Sequence, residues 1–305
     1  SNGGSGFAVA KTGDASVVFV GPPSVGKSTL LNKLTNADSK VGAYDFTTLD
    51  VVPGMMDYLG AKIQILDIPG IIEGAAKGKG RGKQVLSIAR AADLIVIMVD
   101  VKTLNRVDQI KKELYQNGIR LDETKPQVEI IKKLEGGIKV NVSAKLSLSY
   151  DTIRELAGEF RLPNAEIVIK EDVSLDRLID AFMANRVYLP YLVAVNKIDL
   201  GLPEKMADAV LISSQNNENL DVLREKIWEK LSFIRVYLKK NEIVDYQSPF
   251  IIKKGKSLKE LLANISICNK ETFVNAKIYG PGAKYQGQEV SFGFVPQDET
   301  VVQFL

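Results

Sequence analysis

The sequence contains no histidine and a single cysteine, Cys268, in its 305 residues. Without histidine, the commonest general base, proton shuttle and zinc ligand are excluded from any mechanism. One cysteine rules out a disulfide within the chain and is typical of proteins in a reducing compartment. We therefore expect a cytoplasmic protein whose chemistry uses neither thiol pairs nor imidazole.

Long apolar runs and an excess of one charge are also lacking. The most apolar run, from Leu94 to Val99, is far too short to span a bilayer, so we expect no membrane partner. Lys and Arg outnumber Asp and Glu by only 40 to 37, and net charge therefore does not indicate a nucleic-acid-binding protein. Hydrophobic residues make up 45% of the chain, enough for one large core or several smaller ones.

Apolar runs of strand length alternate with amphipathic helical segments along much of the chain. This alternation indicates an α/β fold with a doubly wound, mostly parallel sheet. Ligands of such sheets bind at the carboxyl ends of the strands. The predicted strands cover residues 16–20, 63–66, 94–99, 191–195 and 209–212, and the predicted helices cover residues 27–34, 104–117 and 219–231.

The spacing of these elements predicts three domains. From Gly70 to Asn196 the chain supplies 126 residues, whereas two helices and two strands need roughly 50–60. The surplus mixes strand-like alternation with helical stretches, and after Tyr237 the pattern changes again to short strands of β-grasp complexity. We predict an α/β domain over 13–118 and 188–236, an inserted α+β domain over 119–187, and a C-terminal domain over 237–305.

The segment from Gly21 to Ser28, GPPSVGKS, fits the phosphate-binding pattern G-x-x-x-x-G-K-[ST]. Glycines let backbone N–H groups wrap phosphate oxygens, and the following helix adds the positive end of its dipole. In such a loop Lys27 bridges the β- and γ-phosphates, and the Ser28 hydroxyl is a ligand of Mg²⁺. An ordinary glycine-rich turn is the alternative, which the position between a strand and a helix disfavours. The predicted loop residues are Gly21, Pro22, Ser24, Val25, Gly26, Lys27, Ser28 and Thr29.

Two further segments are candidates for contacts with the magnesium ion and the γ-phosphate. Asp67 ends a predicted strand and can hold Mg²⁺ through water, while the N–H group of Gly70 can contact the γ-phosphate. A strand-terminating turn explains these residue types equally well. Upstream, the hydroxyls of Thr47 and Thr48 can complete the Mg²⁺ shell, although a threonine pair is also favoured in a strand. Lys27, Thr48 and Gly70 form the predicted catalytic set.

The segment Asn196-Lys197-Ile198-Asp199 predicts a site that reads a guanine base. The Asp199 carboxylate can accept hydrogen bonds from guanine N1–H and the 2-amino group, whereas adenine offers neither donor. Asn196 is expected to tie the base-binding loop to the phosphate loop, and the Lys197 stem to cover the ring. Ser213-Ser214-Gln215 ends the next strand, where a backbone N–H can meet the guanine carbonyl. A lone N-K-x-D is more often a solvated turn, but these motifs in this order indicate binding of GTP and GDP.

Together these residues resemble the Obg-related translation-factor GTPases, and within them the family of developmentally regulated GTP-binding proteins. The segments that carry the resemblance are 46–49, 67–75, 75–84, 117–121 and 185–188, beside the nucleotide motifs. The resemblance covers nearly the whole chain. It implies that the insert is a ribosomal-S5-domain-2-like domain and that the C-terminal domain is a TGS domain. It also implies a cytoplasmic role in translation with ribosomes or ribosomal RNA, often with a stabilising partner protein.

Two departures from the family pattern bear on cofactors and domain identity. Ser24 stands where several potassium-activated relatives have Asn, which leaves K⁺ open as a second cofactor beside Mg²⁺. The C-terminal domain lacks the histidines that are common in TGS sequences.

Hydrolysis is expected to be slow. Ile71 occupies the position where Ras-like enzymes place a glutamine that orients the attacking water, and its side chain cannot do so. Positioning and electrostatics still support turnover on the order of 10⁻⁴ to 10⁻² s⁻¹.

Three functions remain open at this point. The first is a GTPase switch that docks to the translation machinery, and the second is a GTP-sensing scaffold or RNA- or partner-binding module in which hydrolysis is incidental. The third, a P-loop ATPase or kinase, is disfavoured by Asp199. The cationic segment Lys77–Lys83 fits contacts with phosphates, ribosomal RNA or an acidic partner, and equally a flexible solvated loop.

Overall fold

The computed structural model describes residues 13–35, 52–68, 87–203, 206, 208–266 and 273–305. The described residues divide into two compact units. One unit is formed by Lys112–Leu189, and the residues before and after it form the other.

The first part of the chain supplies strands of a central sheet and the helix that packs on it. Leu30, Leu31 and Leu34 are buried, at the spacing of one helical face, which is why residues 27–34 form a helix as predicted. Every residue of the apolar strand near residue 97 is buried, as expected for a strand covered on both faces. The elements are β1 (Ala15–Val20), α1 (Lys27–Leu34), β2 (Val52–Tyr58), β3 (Ala61–Asp67), β4 (Leu94–Asp100) and α2 (Arg106–Gln116).

The unit Lys112–Leu189 contains two small sheets and two helices. Its three-stranded sheet has the order β6-β8-β7, and β5 pairs with β9 in a separate parallel ladder. Apolar residues of α3, α4 and β8 form its own core, centred on Ile153, Ile167 and Leu178. The elements are β5 (Ile119–Leu121), β6 (Val128–Lys132), β7 (Ile138–Val142), α3 (Tyr150–Glu159), β8 (Ala165–Ile169), α4 (Leu175–Met183) and β9 (Val187–Leu189).

The chain then returns to the central sheet with β10 (Tyr191–Asn196), β11 (Ala209–Leu211) and α5 (Leu220–Leu231). The sheet has the order β11-β10-β4-β1-β3-β2, and its strands run parallel except for β2, which is antiparallel to β3. The sheet is therefore mixed. Because β1, β3, β4 and β10 are parallel, the residues at their carboxyl ends meet at one edge.

A second sheet is built from the C-terminal residues. It has the order β13-β12-β17-β15-β16, β14 also pairs with β12, and α6 packs on one face around Leu258 and Leu261. The predicted domain boundary at 237 falls inside β12, whose first residue, Phe233, has its side chain in the core of the central sheet. The elements are β12 (Phe233–Lys240), β13 (Ile243–Val244), β14 (Phe250–Lys253), α6 (Leu258–Ser266), β15 (Ala276–Tyr279), β16 (Gln288–Val290) and β17 (Thr300–Phe304).

An aromatic row joins the two sheets of this unit. The Trp228 ring contacts Tyr58 and Phe233 edge-on, at centroid distances of 6.0 and 5.7 Å. At the tip of the β2–β3 hairpin, Gly60 lies so close to Pro249 that a Cβ atom on it would be 2.4 Å from the proline Cγ. The loop that leads into β14 thus packs directly on the hairpin. Among the described residues, we find no helix with the length and apolar character needed to cross a membrane.

Candidate functional site

The loop between β1 and α1 needs glycine at two positions, Gly21 and Gly26. A Cβ atom on Gly21 would lie 2.1 Å from the Met98 carbonyl oxygen, because the loop leaves β1 pressed against β4. Gly26 has φ +95°, and a Cβ there would lie 2.4 Å from the Asn196 amide nitrogen. Gly26 also precedes the first residue of α1, and no side chain caps that end of the helix. Its first N–H groups are therefore directed at the loop, as in anion-binding helix termini.

Lys27 is buried inside this loop. Its Nζ donates hydrogen bonds to the carbonyl oxygens of Gly21, at 3.1 Å, and Pro22, at 2.8 Å. The next two residues, Ser28 and Thr29, are exposed on the first turn of α1. The loop therefore surrounds a cation with its own backbone, which is an arrangement that suits a phosphate ligand.

The Ser28 hydroxyl meets Asp67 at the end of β3. Ser28 Oγ donates to Asp67 Oδ2 at 3.1 Å, while Asp67 Oδ1 is buried and has no hydrogen-bond partner among the described residues. Burial raises the pKa of Asp67, and this effect outweighs the opposing effects of the Lys27 charge and the Ser28 hydrogen bond. A buried carboxylate oxygen without a partner, next to a hydroxyl, fits a hard divalent cation.

Asn196 connects three loops at the edge of the sheet. The side chain is buried, and its Nδ2 donates to the Val25 carbonyl oxygen at 2.9 Å. Its Oδ1 accepts from the Ser214 N–H at 2.9 Å and from the Ser214 hydroxyl at 3.1 Å. The Asn196 amide thus joins the loop between β1 and α1, the end of β10 and the loop after β11.

The carboxylate of Asp199 is oriented by the loop after β11. Asp199 is exposed on a short 3₁₀ turn, Ile198–Leu200, and its Oδ1 accepts from the buried Ser213 hydroxyl at 2.6 Å. Gln215, the last predicted residue of that loop, is exposed. The structure therefore brings most of the predicted residues to one edge, and the predicted Thr47, Thr48 and Gly70 lie outside the described residues.

Asp100, the last residue of β4, belongs to none of the motifs that predict the site. It lies beside Asn196 in the sheet, and its Oδ2 accepts from Lys197 Nζ at 3.1 Å. Burial opposes ionisation of Asp100, but hydrogen bonds from Lys197, Thr103 and Lys102 outweigh it and lower its pKa. Its only signal in the sequence is an acidic residue at the end of an otherwise apolar strand.

Comparison with known proteins identifies the family. Residues 16–133 match the MMR_HSR1 family profile, described as a 50S ribosome-binding GTPase, and residues 135–233 match the profile of the C-terminal region of that domain. Developmentally-regulated GTP-binding protein 1 of Xenopus laevis is 43% identical over 317 residues, covering 99% of this chain and 85% of that protein. The chain belongs to the family of developmentally regulated GTP-binding proteins.

Other relatives agree with this family. Ribosome-interacting GTPase 1 of Saccharomyces cerevisiae is 44% identical, with 99% of this chain and 85% of that protein covered. An uncharacterised GTP-binding protein of Methanocaldococcus jannaschii is 48% identical, with 97% and 79% covered. The solved YchF GTPase of Schizosaccharomyces pombe has a similar fold, with a TM-score of 0.53 at 14% identity over 97% of this chain and 99% of that one.

As a member of the developmentally regulated GTP-binding proteins, the chain is a P-loop GTPase that binds GTP and hydrolyses it to GDP and phosphate. GTPases of this fold generally use Mg²⁺ with the nucleotide. The described residues hold no cluster of three or more His, Cys, Asp or Glu that could bind a metal alone.

Proposed function

We propose that this chain is a guanine-nucleotide switch that binds Mg²⁺·GTP at the edge formed by β1, β3, β4 and β10, and works with ribosomes. The observation that carries the proposal is the Asn196 side chain, which hydrogen-bonds both Val25 and Ser214. A phosphate-binding loop is thereby tied to a base-reading loop, so that the two ends of one nucleotide are recognised together.

The phosphate end uses Lys27, Ser28 and Asp67. The Lys27 ammonium contacts the β- and γ-phosphates, exchanging hydrogen bonds to loop carbonyls for phosphate oxygens. Ser28 supplies its hydroxyl to Mg²⁺, and Asp67 lies where it can hold the ion through water. Thr47, Thr48 and the Gly70 N–H keep their predicted roles at the γ-phosphate, and the backbone from Gly21 to Thr29 wraps the phosphates.

The base end uses Asp199. The Ser213 hydroxyl holds one carboxylate oxygen, which leaves the carboxylate oriented to accept from guanine N1–H and the 2-amino group. Ser214 and Gln215 offer backbone N–H groups toward the guanine carbonyl. The Lys197 stem covers the ring while its ammonium is held elsewhere.

The link to ribosomes rests on relatives. The matching profile is described as a ribosome-binding GTPase, and the yeast relative is named a ribosome-interacting GTPase. We assign the unit Lys112–Leu189 as the S5-domain-2-like insert and the C-terminal sheet as the TGS domain, both available to ribosomal RNA or a stabilising partner protein. The alternative is a GTP-sensing scaffold whose hydrolysis is incidental. Single-turnover rates of GTP hydrolysis, measured with and without ribosomes, distinguish the scaffold from the switch.

Asp199→Asn tests the base-reading role. The amide presents a donor where the carboxylate accepted, so guanine loses a paired contact, while xanthine, with an oxygen at position 2, gains one. We expect GTP affinity to fall roughly 100-fold or more and xanthosine triphosphate to bind in its place, as measured by isothermal titration. Asp221→Asn, an exposed carboxylate on α5, is the matched control and should bind GTP normally.

The same variant tests the switch. Ribosomes are pelleted with Asp199→Asn in the presence of a non-hydrolysable analogue of either GTP or xanthosine triphosphate. Sedimentation with the xanthosine analogue alone supports nucleotide-controlled ribosome binding. Equal sedimentation with both analogues contradicts nucleotide-controlled ribosome binding. Sedimentation with neither analogue, while the parent chain sediments normally, contradicts it as well.

Potassium is proposed as an additional activator. A cation beside the phosphates can take the place of an arginine finger, and Ser24, which is exposed in the loop with φ +62°, supplies a hydroxyl rather than an amide oxygen. Hydrolysis rates in potassium and sodium buffers of equal ionic strength decide this point.

A further inference from the structure

The contacts of Asp100 divide between its two carboxylate oxygens. Oδ1 accepts from the Lys102 N–H at 3.0 Å and from the Thr103 hydroxyl at 2.9 Å. Oδ2 accepts from Lys197 Nζ at 3.1 Å. One oxygen therefore holds the turn that leads to α2, and the other faces a cation of the base-reading loop.

Lys197 in turn reaches the phosphate-binding loop. Its Nζ donates to the carbonyl oxygen of Ser24 as well as to Asp100. Both Ser24 and Lys197 have left-handed backbones, with φ +62° and +64°, which non-glycine residues adopt at some cost. Such conformations persist where surrounding contacts fix them, and the shared ammonium is a contact common to both residues.

The Lys197 side chain is 34% exposed, whereas the Asp100 side chain is 9% exposed. A partly exposed ammonium that contacted only a backbone carbonyl would exchange that contact readily for water. A buried carboxylate, fixed by its own two donors, supplies a counter-charge that holds the ammonium in one place.

We infer that Asp100 is a positioning residue of the nucleotide site, which acts through Lys197 to hold the Ser24 segment of the phosphate-binding loop in its binding conformation. The inference rests on the proposed nucleotide site. Asp100 has no contact with the base-reading carboxylate among the described residues, so its loss affects how long nucleotide stays bound and leaves the choice of base unchanged.

Asp100→Asn separates the two halves of the carboxylate. The amide oxygen can still accept from Lys102 and Thr103, while the amide nitrogen places a donor against the Lys197 ammonium. Thr103→Val does the reverse, because it removes a turn contact and keeps the charge that faces Lys197. Asp108→Asn, an exposed carboxylate on α2, is the matched control.

Each variant of the 305-residue chain is loaded with a fluorescent GDP, and the release of this GDP is measured after excess unlabelled GDP is added. We expect release from Asp100→Asn to be roughly tenfold faster, the size of a weakened charge-assisted hydrogen bond, with an unchanged preference for GDP over the inosine and adenine diphosphates. Thr103→Val, which loosens Asp100 but keeps its charge, should release GDP at a rate between those of the parent and Asp100→Asn, and Asp108→Asn should release GDP at the parent rate.

The decisive comparison is between the GDP release rates of Lys197→Met and of the double variant that carries both Asp100→Asn and Lys197→Met. If Asp100 acts through Lys197, the double variant releases GDP no faster than Lys197→Met alone. If the two substitutions instead multiply each other's effect on the release rate, Asp100 has a separate role and the inference is overturned. A parent-like release rate in Asp100→Asn would also overturn it. Tight GDP binding by the parent chain tests the proposed site on its own, so the two failures are distinguishable.

Discussion

Asp67 is almost completely buried at the end of β3, and one of its carboxylate oxygens has no hydrogen-bond partner among the described residues. Because burial raises its pKa, the fold favours the protonated side chain relative to the unfolded chain. That contribution to stability is present at low pH and is lost as the pH rises through the raised pKa. Above that pKa the nucleotide-free protein carries a buried negative charge, which the Lys27 ammonium and the Ser28 hydroxyl offset only in part and which a bound cation would stabilise further.

Asp67→Asn should separate stability from function. Without the charge, the nucleotide-free variant should unfold at a higher temperature at neutral pH, with a gain of about 1 kcal/mol, and this gain should shrink as the pH is lowered. Its GTP affinity in magnesium should fall toward the value that the parent shows in EDTA, because one of the groups that hold the ion is gone.

Calorimetric unfolding at several pH values, together with GTP titrations, makes this measurement. Asp57→Asn removes a carboxylate from a surface ion pair with Lys62 and should change neither quantity appreciably. A destabilised Asp67→Asn protein that still shows magnesium-dependent GTP binding would contradict the assignment.

The sequence predicted the site residues that belong to motifs and missed one that does not. Lys27, Asp67 and Asn196 stand in motifs at strand ends, and parallel strands bring such ends together, so their convergence could be predicted. Asp100 could not, because a single acidic residue after an apolar strand is common. Its importance depends on its position opposite Asn196 in the sheet, which is a matter of strand order.

Among the elements, the β2–β3 hairpin links the central sheet to the C-terminal sheet. Its two turn residues, Leu59 and Gly60, have φ +48° and +81°, the signs of a type I′ turn that suits the twist of paired strands. Gly60 also makes the close approach to Pro249. The glycine is needed here both for its backbone angle and for the space beside it.

Gly60→Ala should therefore cost more than backbone strain alone. Gly255 is a matched control, because it has φ +89° but nothing within 4 Å of the place that a Cβ atom would take. Both substitutions add left-handed strain, while only Gly60→Ala pushes against the proline ring. We expect it to lower the free energy of unfolding by roughly 1–3 kcal/mol more than Gly255→Ala.

Urea unfolding of the two variants measures this difference. Adding Pro249→Ala should recover part of the extra loss, because it removes the opposing ring. Equal losses in Gly60→Ala and Gly255→Ala would mean that the hairpin tip and the C-terminal sheet do not press on each other in solution.

The same elements show where prediction from the sequence ended. Residues 27–34 and 219–231 carry clear helical periodicity, and the structure has helices there, Lys27–Leu34 and Leu220–Leu231. β2 contains Pro53 and Gly54, which disfavour a strand, and it forms because the turn at Gly60 folds it back on β3. β12, with the sequence FIRVYLKK, has no strict alternation of apolar and polar residues, and only Ser232 separates it from α5. The predicted domain boundary at 237 therefore divides the strand.

On the scale of the whole molecule, the unit Lys112–Leu189 has the features of a separate module. It has its own apolar core, and its buried Arg120 pairs with Asp180 of the same unit at 2.7 Å. The strands at its two ends, β5 and β9, lie side by side in register, with Ile119 opposite Val187. Because β5 and β9 run parallel, a linker must return from Leu121 to Val187 along the length of the strands, and such a crossover needs about a dozen residues.

Replacing residues 122–186 with a Gly/Ser linker of about a dozen residues should leave GDP affinity within about tenfold of the parent, since the proposed phosphate and base residues lie outside the insert. The variant also carries Arg120→Ser, because the replacement removes the partner of that buried charge. GDP titration and circular dichroism test the result. A chain that no longer folds would show that the insert completes the core of the nucleotide-binding unit.

The aromatic row between the two sheets has an optical consequence. Trp228 is the single tryptophan of the sequence, and its ring lies between Tyr58, at the end of β2, and Phe233, at the start of β12. Thr47 and Thr48, the predicted ligands of Mg²⁺, come shortly before β2 in the chain. The protein therefore carries an intrinsic fluorophore at the junction of the two sheets. The emission wavelength and polarisation of Trp228 fluorescence report whether that junction shifts when nucleotide is exchanged, with no label attached.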